Sequence, residues 1–185
     1  PIVAGTIFAP VRPPAGETGP IELRNRVLVF GADGSVIYRQ DKAYLTDFEQ
    51  TVLKLEPGSP YNARPVLIDG LEIGITVCRD TYFDAWDAPL DGVDLWIDLR
   101  ANGEPYTREV YERFLRTLPE RVVEADAAAG INASLTGELF DHVWAGPSYG
   151  VDASGRRVTA SASPIGTGIT TLQLVRDRSG WRLDS

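Results

Sequence analysis

Along most of the chain, apolar residues either alternate with polar ones or run together in short blocks, and the blocks end at turn signals. Ile2–Phe8 is an apolar run that reads as a strand, and a Pro/Gly-rich loop follows it through Pro20. Arg26–Phe30 and Ser35–Arg39 alternate with the period of two expected of half-buried strands, joined by the hairpin signal Gly31-Ala-Asp-Gly34. Residues 40–60 are polar and irregular and end in the turn Glu56-Pro57-Gly58. Pro65–Asp69 and Glu72–Val77 predict a second hairpin across Asp69-Gly70-Leu71, and Asp94–Leu99 reads as a short buried strand. From Thr107 to Ala129 the period lengthens. Val110, Phe114, Leu118, Val122 and Val123 make a helical stripe, with Pro119 expected to break or kink it. After the Gly130 stop, Ile131–Leu135 reads as strand, and Tyr149–Asp152 and Arg157–Ala160 flank the turn Asp152-Ala-Ser-Gly155. Thr170–Val175 and Trp181–Leu183 predict a terminal hairpin. No repeat, low-complexity tract or long linker divides the sequence, so one mixed α/β layered domain over residues 1–185 is expected.

Composition narrows the function classes. With 43% hydrophobic and 24% charged residues, the 185-residue chain can bury a sizeable core. Its net charge of −8 disfavours a nucleic-acid partner, whose phosphates require a basic face. No apolar run approaches the roughly 20 residues that span a bilayer, so no membrane partner is expected. The lone cysteine excludes an internal disulfide and suits a reducing compartment, which makes cytoplasm the expected location. One Cys and one His cannot build a typical zinc site. The sequence starts at Pro1 inside an apparent strand and contains no methionine, which fits a piece of a longer protein.

Four residues are candidates for chemistry. Cys78 ends the apolar run LEIGITVCRD. Free cysteine is among the most buried residue types, which argues for a small core hydrophobe. Against that, Arg79, Asp80 and Thr81 follow at once and make continued burial costly, and a strand-to-turn boundary is where nucleophiles are presented. Lys42 would read as a solvated lysine were it not followed by Ala43, Tyr44 and Leu45, which turn the chain inward. A desolvated lysine can stabilise a developing oxyanion. Glu49 lies seven residues beyond Lys42 and by itself is one of 26 acids. His142 could serve as base to Cys78, although nothing local favours that pairing over a structural role.

The order of these segments resembles the nitrilase, or carbon–nitrogen hydrolase, superfamily. Arg26–Arg39 resembles its hairpin before the catalytic lysine, and Lys42-Ala-Tyr-Leu45 its lysine motif. Thr46-Asp-Phe-Glu49 with Glu56-Pro57-Gly58 resembles the segment carrying a second glutamate before a Pro-Gly turn. Ile73-Gly-Ile-Thr-Val-Cys-Arg-Asp80 resembles the nucleophile elbow, and Gly92-Val-Asp-Leu95 the strand after it. Arg121-Val-Val-Glu124 resembles the helix motif with Arg and Glu three apart, with Ala125 where Asn is common. Gly146-Pro-Ser148 and Asp152-Ala-Ser-Gly155 resemble the last turn of the fold. The likeness covers nearly the whole chain, and its motifs are specific only in combination.

The resemblance implies a four-layer α-β-β-α sandwich, here lacking its first strands and helices, and hydrolysis of an amide or carbamoyl group in a small-molecule substrate. Cys78 would be the nucleophile, Lys42 the oxyanion stabiliser and Glu49 the supporting glutamate. No metal or organic cofactor is implied, and a homodimer is. The family's general-base glutamate has no counterpart: Glu17 and Glu22 lie in a Pro/Gly-rich loop and match no part of its motif. Two alternatives follow, a catalytically inactive fragment acting as a binding or assembly piece, and a thiol hydrolase using Cys78 with His142.

Overall fold

Three of the alternating segments near the start of the chain pair into one antiparallel sheet. They are β1 (Ile2–Val11), β2 (Glu22–Phe30) and β3 (Val36–Asp41), in the order β1-β2-β3. The computed structural model describes residues 1–13, 15–16, 18–139, 142–160, 171–178 and 180–183, in two compact units, Pro1–Ala63 and Arg64–Ser185. In the first unit Asn25, Val27 and Val29 occupy every second position of β2 and are buried, as a period of two requires. A bulge at Gly5, whose φ of +76° suits glycine, interrupts the register between Val3 and Thr6. The segment expected to be irregular contains a helix, α1 (Asp47–Thr51). Its N-cap, Thr46, and Glu49 form a reciprocal capping box. The S/T-x-x-E signature in Thr46-Asp-Phe-Glu49 predicts such a start.

The second unit is built on a six-stranded sheet in the order β11-β10-β7-β6-β5-β4. Its strands are β4 (Val66–Ile68), β5 (Leu71–Val77), β6 (Leu95–Arg100), β7 (Ala129–Ser134), β10 (Tyr149–Asp152) and β11 (Arg157–Ala160). The central strands β5, β6 and β7 run parallel, and antiparallel strands flank them on both sides. Asp69 and Gly70, at φ +51° and +81°, turn β4 into β5 as a two-residue hairpin. The short hairpin β8 (Gly137–Leu139) and β9 (His142–Trp144) has no counterpart in the sequence expectation. The terminal hairpin forms from β12 (Leu174–Asp177) and β13 (Gly180–Leu183), and Thr170 lies outside the described residues.

Helix α2 (Arg108–Glu124) starts at Thr107, whose hydroxyl accepts from the Val110 amide, and passes through Pro119 without a break. Pro119 cannot donate to the Leu115 carbonyl. Burial of Val110, Phe114, Leu118 and Val122 on both sides of it offsets that loss. The expectation of a break is therefore corrected by packing. Glycines let the helix and the adjoining loop lie close on the sheet. A Cβ on Gly130 would stand 2.7 Å from Val122, and one on Gly74 would stand 3.1 Å from Leu90. These two glycines flank Trp96 in the parallel register and leave room for its fully buried indole.

The same register decides which residues share a face. Thr76, Asp98 and Asn132 lie side by side across β5, β6 and β7, on the face that also carries Gly74, Trp96 and Gly130. All three polar residues are fully buried. Arg100 and Ser134 form the next row, one place beyond the Val77–Leu99 pair where Cys78 leaves the strand. A polar row at the centre of a sheet is costly unless its groups bond one another.

Candidate active site

Strand β5 ends in ordinary extended backbone at Val77, at φ −120°, and Cys78 turns abruptly to φ +54°. The chain then enters a tight 3₁₀ turn, Cys78–Tyr82. A residue with a Cβ is rarely found at such a φ, and it persists there only where its surroundings impose it. This conformation lifts the side chain out of the strand's pleat. Cys78 is half-buried, and its thiol donates to the Ala101 carbonyl at 3.4 Å.

Beneath the elbow is a polar chain. Arg100 Nε donates to Asp98 Oδ2 at 2.5 Å, and both side chains are sealed from solvent. The Asp98 carboxylate also faces the Cys78 backbone N–H and the Thr81 hydroxyl, both of which favour its charged form. Its Oδ1 has no hydrogen-bond partner among the described residues. Burial pushes the Asp98 carboxyl up, and Arg100 is the leading group that opposes this. Burial alone would lower the Arg100 pKa, but the neighbouring Asp98 carboxylate outweighs it and the net shift is upward. With the guanidinium held charged at this distance, the pair is ionic. The Arg100 guanidinium stands 5.1 Å from the Tyr82 ring centre and 4.7 Å from that of Phe114. Its Nη1 donates to the Tyr82 hydroxyl at 3.3 Å.

In the first unit, Lys42 follows β3 and is buried, only 3% exposed. Its Nζ donates to Glu49 Oε2 at 2.6 Å, across the first turn of α1. Glu49 also accepts from Asn25 Nδ2 at 2.9 Å and from the Thr46 backbone N–H at 2.7 Å. Burial would raise the Glu49 carboxyl, but Lys42 and these donors hold it below its ordinary value. The backbone of Lys42 is clamped as well. Its N–H donates to the Asn25 carbonyl and its carbonyl accepts from the Gly58 N–H, each at 2.8 Å. A Cβ on Gly58 would stand 2.6 Å from the Asp41 carbonyl oxygen, which explains the glycine in the Pro-Gly turn.

The first unit thus joins Lys42 to Glu49, and Cys78 belongs to the second. Arg100 lies at the end of β6 in the core, and Asn102 closes its own loop on Glu104 with bonds of 2.8 and 3.1 Å. The hydroxyl of Tyr106 is buried with no hydrogen-bond partner among the described residues. Arg121 bonds both oxygens of Asp87 at 3.0 and 2.8 Å and pairs with Glu124, so it pins α2 to the 84–90 loop. Gly146-Pro147-Ser148 packs on β7: Ser134 Oγ donates to the Pro147 carbonyl at 2.7 Å, and Ser148 Oγ accepts from the Ser134 N–H at 3.0 Å. The His142 side chain and all of Glu17 lie outside the described parts of the structure. Glu22, expected in the loop, instead opens β2 opposite Val11 and pairs with Arg24. Sequence reading missed Asp98. Its signal was two opposite charges two places apart in an otherwise apolar strand, Leu95-Trp-Ile-Asp-Leu-Arg100.

No family model and no curated protein sequence matches the chain. Solved structures do. A carbon–nitrogen hydrolase from Helicobacter pylori matches at a TM-score of 0.64 and 19% identity, over 79% of this chain and 55% of that one. Saccharomyces cerevisiae Nit3, a member of branch 10 of the nitrilase superfamily, matches at 0.65 and 19%, over 89% and 56%. A mutant of the amidase from Nesterenkonia sp., with the acetamide moiety of fluoroacetamide on its active-site cysteine, matches at 0.63 and 21%, over 80% and 54%. The chain spans about half the length of the proteins it resembles. By this likeness, its two units carry the fold of the carbon–nitrogen hydrolase, or nitrilase, superfamily.

Proposed function

We propose that the chain carries the nucleophile and lysine of a carbon–nitrogen hydrolase acting on an amide or carbamoyl group of a small molecule. The observation that carries this reading is Cys78 at φ +54°, half-exposed at the end of a central parallel strand. That conformation is strained, and strain of this kind concentrates where a side chain is presented for chemistry.

In this reading the Cys78 thiolate attacks the carbonyl carbon, and the carbonyl π electrons move to the oxygen. The Lys42 ammonium, held in place by its bond to Glu49, stabilises the resulting oxyanion. Collapse expels the nitrogen, which leaves as the amine after taking up a proton, and a thioester forms on Cys78. Water then adds to the thioester, releasing the carboxylic acid and regenerating the thiol. The Cys78 amide faces Asp98, so backbone help to the oxyanion comes from the turn that follows. No general base is assigned among this chain's residues. A homodimer in the cytoplasm, where the single thiol stays reduced, completes the proposal.

The test is ammonia release from a panel of primary amides and carbamoyl compounds, with intact-mass detection of the acyl adduct on Cys78. Cys78→Ala should abolish both adduct and turnover, and Lys42→Ala should lower turnover by about 10²–10³-fold. Turnover that survives Cys78→Ala would overturn the reading. So would a chain whose Cys78 is fully alkylated by iodoacetamide yet never acquires an acyl adduct.

A further inference from the structure

We propose that Asp98 is a positioning residue, whose buried carboxylate, braced by Arg100, holds Cys78 in its left-handed backbone conformation and so aims the thiol. Nothing local requires φ +54° at this position. Cys78 is neither glycine nor asparagine, and Val77 before it is ordinary strand. The conformation must be imposed from elsewhere.

Asp98 is placed to impose it. It lies beside Thr76 in the parallel register, fully buried, and faces the Cys78 N–H at the first residue of the turn and, at the fourth, the hydroxyl of Thr81, which is bonded to Thr76 at 2.8 Å. One carboxylate therefore grips both ends of the elbow. The hydroxyl directions follow by elimination. A carboxylate only accepts, so the single Thr81 proton goes to Asp98. Thr81 must then accept from Thr76, its partner at 2.8 Å, and Thr76 accepts from Trp96 Nε1 at 2.9 Å. Every proton of the chain points toward the carboxylate.

Arg100 acts on Asp98 and has no access to substrate. Its side chain is 1% exposed and lies between the Tyr82 and Phe114 rings, with Nη2 sealed from solvent. A buried ion pair is no better for stability than a well-packed apolar pair, so its presence in the central strand calls for another role. Orienting the nucleophile is that role. The consequence for catalysis rests on the proposed function, but the positioning itself does not.

The test therefore avoids turnover. Amide hydrogen exchange at Cys78 and its alkylation by iodoacetamide are measured in the intact chain, in the paired variant Asp98→Asn with Arg100→Gln, in Thr81→Val, and in the control Val122→Ala. In the paired variant, Cys78 amide exchange should accelerate about tenfold relative to the Ile75 amide, and the alkylation rate should change by about tenfold. Thr81→Val should move both in the same direction by about threefold. Val122→Ala should lower global stability without singling out Cys78. Wild-type exchange and alkylation in the folded paired variant would overturn the proposal. Should that variant not fold, unchanged values in Thr81→Val would do the same. A chain that alkylates as expected yet hydrolyses no amide would sink the proposed function and leave this inference standing.

Discussion

Glu49 shows how one residue's setting governs its chemistry. Its carboxylate faces the buried Lys42 ammonium and takes bonds from Asn25 and Thr46, which together outweigh the burial that would raise its pKa above 4.5. Glu49→Gln would leave a buried ammonium without its counter-charge, which costs about 3 kcal/mol. The sign of the pH dependence follows from the lowered pKa. The stabilisation by Glu49 is complete above the ordinary carboxyl value of 4.5 and is lost as pH falls through the lower folded value. Urea unfolding of the wild type and Glu49→Gln should show a constant difference from pH 5 to 7 that shrinks below about pH 4.5. A difference independent of pH down to about pH 2 would show that the pair is not what stabilises the segment.

Among the elements, α2 and β7 depend on an absent side chain. A Cβ on Gly130 would stand 2.7 Å from Val122 Cγ2 and 3.3 Å from Leu118, and both neighbours are fully buried. Neither is the far end of a flexible chain, so the helix would have to lift from the sheet. Gly130→Ala should destabilise by about 1–3 kcal/mol in chemical denaturation. Adding Val122→Ala to it should recover part of that loss, because the two residues share one space and their effects do not add. Strictly additive losses would refute the close approach. Pro119 carries the same lesson, since the packed face of α2 decides its continuity and local propensity does not.

At the scale of the whole molecule, β1 is the feature with the largest consequence for behaviour in solution. It is ten residues long, lies at the edge of its three-stranded sheet, and exposes Ile2, Ile7 and Phe8. A long edge strand with apolar side chains invites pairing with another copy, and Gly5 and Pro10 blunt it only locally. The net charge of −8 opposes that approach by repulsion between copies. Self-association should therefore grow with protein concentration and strengthen with added salt, which screens the repulsion. Size-exclusion chromatography should also show Ile7→Lys with Phe8→Lys shifting the chain to smaller species. Elution that ignores concentration, salt and both substitutions would remove β1 as the cause.

Much of the strand framework was legible in the sequence, because a period of two and turn residues such as Asp69-Gly70 and Asp152-Ala-Ser-Gly155 act over a few neighbours. The resemblance of motifs in order led to the fold that the solved structures share. The capping box at Thr46 and Glu49 was equally local and could have been read. The remainder depended on residues far apart in the chain. Whether Cys78 is a core thiol or a presented one turned on Asp98 and Arg100, some twenty residues later, which the register of β5 with β6 brings beneath it. The sequence by itself determined where most of the strands lie, and with them the place of Cys78 at a strand end. Only the tertiary structure decided its backbone angle, because a strained conformation is held by contacts and not by the residue that adopts it.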